Sequence, residues 1–225
     1  MRIGIDARFF GSTSKGLGRY TEKLIENLEK IDAQGGNQYF IFLSQEGFAQ
    51  YQPKNKNIQK ILADYRWYSL EEQLKMPSLL HKYQLDLVHF PHFNVPLGYR
   101  KKFVVTIHDL ILLHFPTLRG TTLNALFYWF KFWMYKIVIY SAIKRSEKII
   151  AVSKFTKKDI LDNYAIAPEK ISVTYEACDD FCNFSSQKEG EILKKYDIIK
   201  PYLLYVGNAY PHKNLERLVL VFREI

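Results

Sequence analysis

Seven short apolar runs recur along the first 178 residues, and each gives way to a polar or glycine-bearing loop. They are Arg2–Ile5, Tyr39–Leu43, Ile58–Leu62, Leu85–Phe90, Phe103–Ile107, Lys148–Val152 and Ile171–Tyr175. Most are apolar at nearly every position rather than at every second one, so both faces of each strand must be buried. Between them lie segments of helical spacing. Leu17, Tyr20, Leu24, Ile25, Leu28 and Ile31 mark one, ending near Gly35 and Gly36, and Leu70–Tyr83 is a second, which Pro77 is expected to kink or interrupt. Leu123–Lys144 is a third, and a fourth runs from a Ser153 cap through Tyr164. Strands alternating with helices predict an α/β fold, a Rossmann-like parallel sheet with helices on both faces. Ligands of such a sheet lie beyond the carboxyl ends of its strands, so the loops that follow the strands are where chemistry is expected.

The pattern then begins again. In Pro201–Ile225, Tyr202–Val206 is an apolar run of strand length closed by Gly207, and Asn214 can cap a helix bearing Leu215, Leu218, Val219 and Phe222. One βα unit cannot bury its own apolar face, so residues 201–225 are expected to open a second, unfinished α/β domain. The polar stretch 179–200 is expected to connect it to the first.

Charge is uneven. Residues 51–100 hold 7 Lys or Arg against 4 Asp or Glu, and residues 101–150 hold 8 against 2, while the remaining blocks sum to zero. A basic region beside an aromatic-rich helix suits nucleic acid, anionic lipid or a phosphorylated substrate. No zinc-finger or RNA-binding signature accompanies it, which sets nucleic acid aside. The Leu123–Ile143 segment is long enough to span a bilayer, but Asn124, Lys131 and Lys136 interrupt it and it falls between two core strands. Part of it must be core. Its Trp, Tyr and Phe, with Lys144, Arg145 and Lys148 beside them, also suit an interfacial surface on anionic lipid. Cys178 and Cys182 are too few for a disulfide framework and read as reduced thiols of a cytosolic protein. The opening MRIGIDARFF lacks the continuous apolar core of a signal peptide.

Several post-strand residues carry candidate chemistry. Gly16 and Gly18 open the helix after the first strand, where backbone N–H groups can face an anion or simply form a turn. His92, Phe93 and Asn94 follow the fourth strand, where an aromatic beside polar groups suits a sugar face, or ordinary loop packing. His108 and Asp109 follow the fifth, either as functional groups or as a hydrogen-bonded strand end. Ser153 is a helix cap at the least. Lys213 sits at a helix start, where a cation opposes the helix dipole unless an anion is present.

These residues also carry a resemblance. LYVGNAYPHKNLERL, IDARFF with GLGRY, TIHDLILLHFP, FPHFNVPL and IIAVSKFT are similar to segments of glycosyltransferase family 4, the glycosyl transferases group 1, and the style of the motifs is nearest to its mannosyltransferase-like members. The resemblance implies a GT-B enzyme: an acceptor-side domain over residues 1–178, a connection over 179–200, and the first unit of a donor-nucleotide domain over 201–225. It implies retaining, metal-independent transfer of a sugar from a GDP- or UDP-linked nucleotide-sugar to a saccharide or lipid-linked acceptor, with no cofactor. His108 would sit beside the donor sugar with Asp109 supporting it. Gly16, Gly18, Gly207 and Lys213 would lie against the diphosphate, and His92, Phe93, Asn94, Ser153 and Glu176 on the substrate side. The chain departs from the family pattern at Leu113, Cys178 and His212, where proline, the glycine-and-aspartate turn and arginine are usual. Glu216 and Glu224 repeat the spacing of the family's donor-sugar glutamates, but on the wrong helix and out of context. An inactive acceptor-binding or membrane-docking module is the rival reading. A non-transferase nucleotide-binding domain ranks below it, since G-x-G-x-x-G is absent after the first strand.

Overall fold

The computed structural model describes residues 1–11, 15–32, 35–118, 124–178 and 186–224. Two compact units are present. The first holds Met1–Pro116 and Asn124–Glu176; the second contains the described residues 117–118, 177–178 and 186–224. Each is described by itself.

The first unit is built on seven strands: β1 (Arg2–Asp6), β2 (Gln38–Leu43), β3 (Ile58–Leu62), β4 (Leu87–Phe90), β5 (Phe103–Ile107), β6 (Lys148–Ala151) and β7 (Ile171–Val173). They form one wholly parallel sheet in the order β3-β2-β1-β4-β5-β6-β7. The order reverses between β1 and β4, where Ile5 pairs with His89, and a sheet wound both ways opens its ligand crevice at such a point.

The central apolar runs become strands because they bury both of their faces, while the edge strands β3 and β7 expose Gln59, Leu62 and Ser172. Along β2, Phe40 and Phe42 enter the cluster that includes Val88, Phe90, Val105 and Ile107. Tyr39, Ile41 and Leu43 alternate with them into the opposite cluster, with Ile5 and Ile25. Three helices cover these faces: α1 (Lys15–Ile31), the short α2 (Gln45–Gln50) and α3 (Leu70–Lys82). After β5 come the single turn α4 (Ile111–His114), then α5 (Ala125–Arg145) and α6 (Lys154–Asn163).

Pro77 does not interrupt α3, which runs through it; the ring is buried and packs within 3.6 Å of where a Cβ on Gly98 would lie. The carboxyl half of α5 is core, with Tyr135, Val138, Ile139, Ala142 and Ile143 buried. Arg145 anchors that end, donating to the carbonyls of Leu97, at 3.0 Å, and Tyr99. It thereby ties the helix to the loop after β4. His114 and Asp159, 2.7 Å apart, join α4 to α6.

The second unit departs further from the sequence reading. The stretch read as a plain connection contains a helix, α7 (Ser186–Lys195). Ile192 and Leu193 are its large apolar residues, and two adjacent ones cannot mark a helical period in a stretch dominated by Lys and Glu. Tyr202–Val206 joins no ladder among the described residues. A strand is made by its neighbour, and an apolar run without one leaves its backbone groups to water. α8 (Leu215–Phe222) forms where expected, with Leu218, Val219 and Phe222 exposed. Asn214 precedes it in the left-handed region, φ 51°, and makes no side-chain cap bond. A capping residue ordinarily has extended backbone, from which its side-chain oxygen reaches the N–H groups of the first turn.

Candidate active site

Six loops leave the carboxyl ends of β1, β3, β4, β5, β6 and β7. Their side chains form two centres of different character.

The first centre is sealed. Arg8, fully buried two residues past β1, donates from Nε to Asp6 Oδ1 at 2.7 Å and from Nη2 to Asp6 Oδ2 at 2.6 Å. The same Nη2 reaches Glu72 Oε1 on α3 at 2.5 Å. Glu72 is itself buried, and it also accepts from Asn94 Nδ2 at 2.6 Å and the Tyr68 backbone N–H at 2.8 Å. Burial pushes the Glu72 carboxyl above the usual carboxylate range, while Arg8 and Asn94 pull the other way. For Arg8, burial works against the charge, but the two carboxylates outweigh it and hold the guanidinium pKa above its ordinary value. Asn94 is thus buried, with its amide nitrogen spent on Glu72. Over this floor lies a set of rings from three loops. Phe9 stacks on Trp67 at 4.4 Å, His92 meets Phe9 edge-on at 5.4 Å, and Phe93 lies 4.1 Å from His92. Tyr68 Oη is 3.4 Å from His92 Nδ1. The Trp67 indole nitrogen is buried without a hydrogen-bond partner.

The second centre is open. His108, the first residue past β5, has Nε2 2.9 Å from the Pro91 carbonyl and Nδ1 2.9 Å from Glu176 Oε1. A carbonyl only accepts, so Nε2 carries a proton. The contact with Glu176 needs a further proton, on Nδ1 or on the carboxyl. The Tyr20 ring from α1 meets the imidazole edge-on at 4.8 Å. Behind them runs a buried chain: Tyr20 Oη lies 3.2 Å from Thr106 Oγ1, which lies 2.9 Å from His89 Nε2. Burial, with the charge of His108 added, pushes His89 down to about 4 and His92 to about 3. Burial raises the Tyr20 phenol, which therefore stays a hydroxyl.

Asp109 does not meet His108. Its Oδ1 accepts from the Ile111 N–H at 3.0 Å and caps the turn into α4. Successive residues leaving a strand point to opposite sides, so the carboxylate that meets His108 comes from beyond β7 instead. Ser153 caps α6 through the Thr156 N–H at 3.0 Å, and Thr156 Oγ1 donates to the His108 carbonyl, also at 3.0 Å. The cap therefore reaches the backbone of the histidine.

Gly16 and Gly18 lie in the first turn of α1, and a Cβ on Gly16 would meet nothing within 4 Å. In the second unit, Gly207 has φ 150°, a value that favours glycine, and Lys213 is exposed at the end of a short 3-10 turn, Pro211–Lys213. Asp179 and Cys182 lie outside the described residues; Cys178 is an exposed free thiol. The sequence reading missed Tyr20, Thr106, Trp67 and the Arg8–Glu72 pair. A post-strand position was the available signal for Arg8 alone.

The sequence model described as Glycosyltransferase Family 4 matches residues 14–180. The O-antigen chain mannosyltransferase RfbU of Salmonella typhimurium is 26% identical over 153 residues, which cover 68% of this chain and 37% of that protein. Among solved structures, Anabaena Alr3699/HepE in complex with UDP-glucose is similar at a TM-score of 0.50 and 13% identity, covering 87% of this chain and 49% of that one. The same protein with UDP and glucose gives a TM-score of 0.49 at 14% identity, covering 87% and 50%. The chain thus spans 37% of the length of the enzyme it matches by sequence, and about half of the solved chains.

Proposed function

The chain belongs to glycosyltransferase family 4, and from that premise we propose that it forms the acceptor-side part of an enzyme that moves a sugar from a nucleotide-sugar to a saccharide or lipid-linked acceptor. The observation that carries this is His108, fixed at a strand end by the Pro91 carbonyl and presented beside an exposed carboxylate, Glu176. Nε2 is committed to the protein. Nδ1 is bonded to a side chain that is half in solvent, so a substrate hydroxyl can exchange for Glu176 without disturbing the fold.

On this reading the transferred sugar is mannose, which the likeness to the mannosyltransferase RfbU supports. The donor is GDP- or UDP-linked, a class supported by the UDP-glucose held by the HepE structure. Transfer is retaining and needs neither metal nor cofactor. Phe93 and His92 border the acceptor, while Asn94 acts from beneath by filling Glu72. Ser153 holds His108 through Thr156. Gly16, with open space where a Cβ would lie, leaves room for phosphate at the α1 N-terminus, and Gly18 is buried one turn in. Residues 201–225 open a donor-nucleotide domain in which Gly207 allows close backbone approach and Lys213 neutralises the departing diphosphate, an electrostatic contribution of the kind that dominates such reactions.

Transfer from labelled GDP-mannose and UDP-glucose, measured with and without an added donor domain, tests the proposal. Product should form only with the donor domain present, keep the anomeric configuration of the donor, and be insensitive to EDTA. Specific acceptor binding with no transfer from any nucleotide-sugar would instead favour the inactive module.

A further inference from the structure

The amino half of α5 lies outside both centres, and apart from Phe132, which rests against the core, its large apolar side chains are mostly exposed. Leu126 is 82% exposed, Phe130 and Trp133 are 60% exposed, and Phe127 and Trp129 are about half so. Leaving five large apolar side chains in water along two turns of one helix is unfavourable, at roughly 25 cal/mol for each Å² of apolar surface. Cations are set among them. Lys131 Nζ stands 5.0 Å from the centre of the Phe127 ring, and Lys136 Nζ stands 4.7 Å from that of Trp133. Lys144 is 5.8 Å from that of Tyr140. From Leu110 to Ser146 the sequence has no Asp or Glu, against Arg119, Lys131, Lys136, Lys144 and Arg145.

We propose that the amino half of α5 docks on an anionic lipid surface, with Phe127, Phe130 and Trp133 entering the interface and Lys131 and Lys136 meeting the headgroups. Charge decides among the occupants. A second copy would bring the same cations against themselves, whereas an anionic bilayer complements them and accepts Trp and Phe at the depth of its headgroups. No helix among the described residues is long and apolar enough to cross a membrane, so α5 lies along the surface with its carboxyl half kept in the core. The inference does not depend on the transfer reaction.

Flotation of the full chain with phosphatidylcholine vesicles, with and without phosphatidylglycerol, tests it. The chain should float with the anionic vesicles only, and its tryptophan emission should shift to the blue. Lys131→Glu with Lys136→Glu should weaken partition about tenfold or more. Phe130→Ser with Trp133→Ser should do the same by removing the inserted surface. Lys54→Glu with Lys56→Glu, the same charge change on exposed residues away from α5, should stay within about twofold of the unaltered chain once the general field is screened by salt. Failure to bind anionic vesicles overturns the proposal, as does full binding by the Phe130→Ser, Trp133→Ser chain. Self-association in solution that the same pair abolishes, without vesicle binding, would assign the face to a second copy.

Discussion

Two constellations, each a nitrogen base bonded to a carboxylate, stand at the carboxyl edge of one sheet and differ in how far solvent reaches them. After β1, Arg8 is enclosed by Asp6 and Glu72 with side chains essentially out of solvent. After β5, His108 meets a Glu176 whose side chain is 52% exposed. In the first, every donor of Glu72 comes from the protein, so the group can neither exchange partners nor lose one cheaply. In the second, one hydrogen bond is internal and the other ends on a carboxylate that water already reaches. Exposure separates the two: the sealed cluster ties loops to α3, and the open pair is the one that the proposed function gives to the substrate.

The largest effect should come from opening the sealed cluster. Arg8→Met leaves two buried carboxylates without their cation, and should lower the unfolding free energy by about 3–5 kcal/mol in urea titration. A loss below about 1 kcal/mol would mean that water already reaches the cluster, and the contrast between the two centres would collapse. His108→Ala reverses the pattern. Turnover in the transfer assay should fall about a hundredfold or more, while stability changes by no more than about 1 kcal/mol. Unaltered turnover would remove His108 from the site.

The buried chain behind His108 gives a third test. The pKa of His89 is pushed down to about 4, below the roughly 6.5 of an unfolded histidine. Between those values the unfolded chain binds more protons than the folded one, so stability falls as pH falls through that window. His89→Gln keeps a partner for Thr106 but cannot titrate. The wild-type chain should lose about 1.4 kcal/mol per pH unit more than this variant between pH 6.5 and 4. Parallel stability curves would show that water reaches His89 in the folded chain.

How much of this was legible follows from what a sequence encodes locally. Phe103–Ile107 reads as a strand residue for residue, because a strand buried on both faces must be apolar at nearly every position, Thr106 being the polar exception. Tyr202–Val206 shows the same pattern without the strand, since apolarity states a need for burial and does not supply the neighbour. His108 was legible from its place after a strand. Its partner was not, because Glu176 lies 68 residues on, and only the pairing of β5 with β6 and β6 with β7 brings them together. Arg8 and Glu72, 64 residues apart, were hidden for a different reason. Charged residues in a sequence read as solvated surface, and nothing local says that a helix will fold one carboxylate under a loop. Asp109 misled because adjacency along the chain is not adjacency across a strand end.

Glu176→Gln makes the finest division between the centres. The exposed pair is screened, and such pairs contribute about 0–1 kcal/mol, so the variant should unfold within about 0.5 kcal/mol of wild type. The amide still offers an oxygen to a protonated Nδ1 but brings no charge. If Glu176 orients His108 until a substrate hydroxyl replaces it, turnover should fall several-fold, roughly three to ten, with KM for the acceptor little changed, because an orienting group acts on the reacting geometry rather than on binding. Glu176→Ala, which removes the acceptor altogether, should fall further than Glu176→Gln. Equal turnover in wild type and both variants would leave His108 held by the Pro91 carbonyl alone. The two centres would then differ in exposure but not in the use made of their carboxylates.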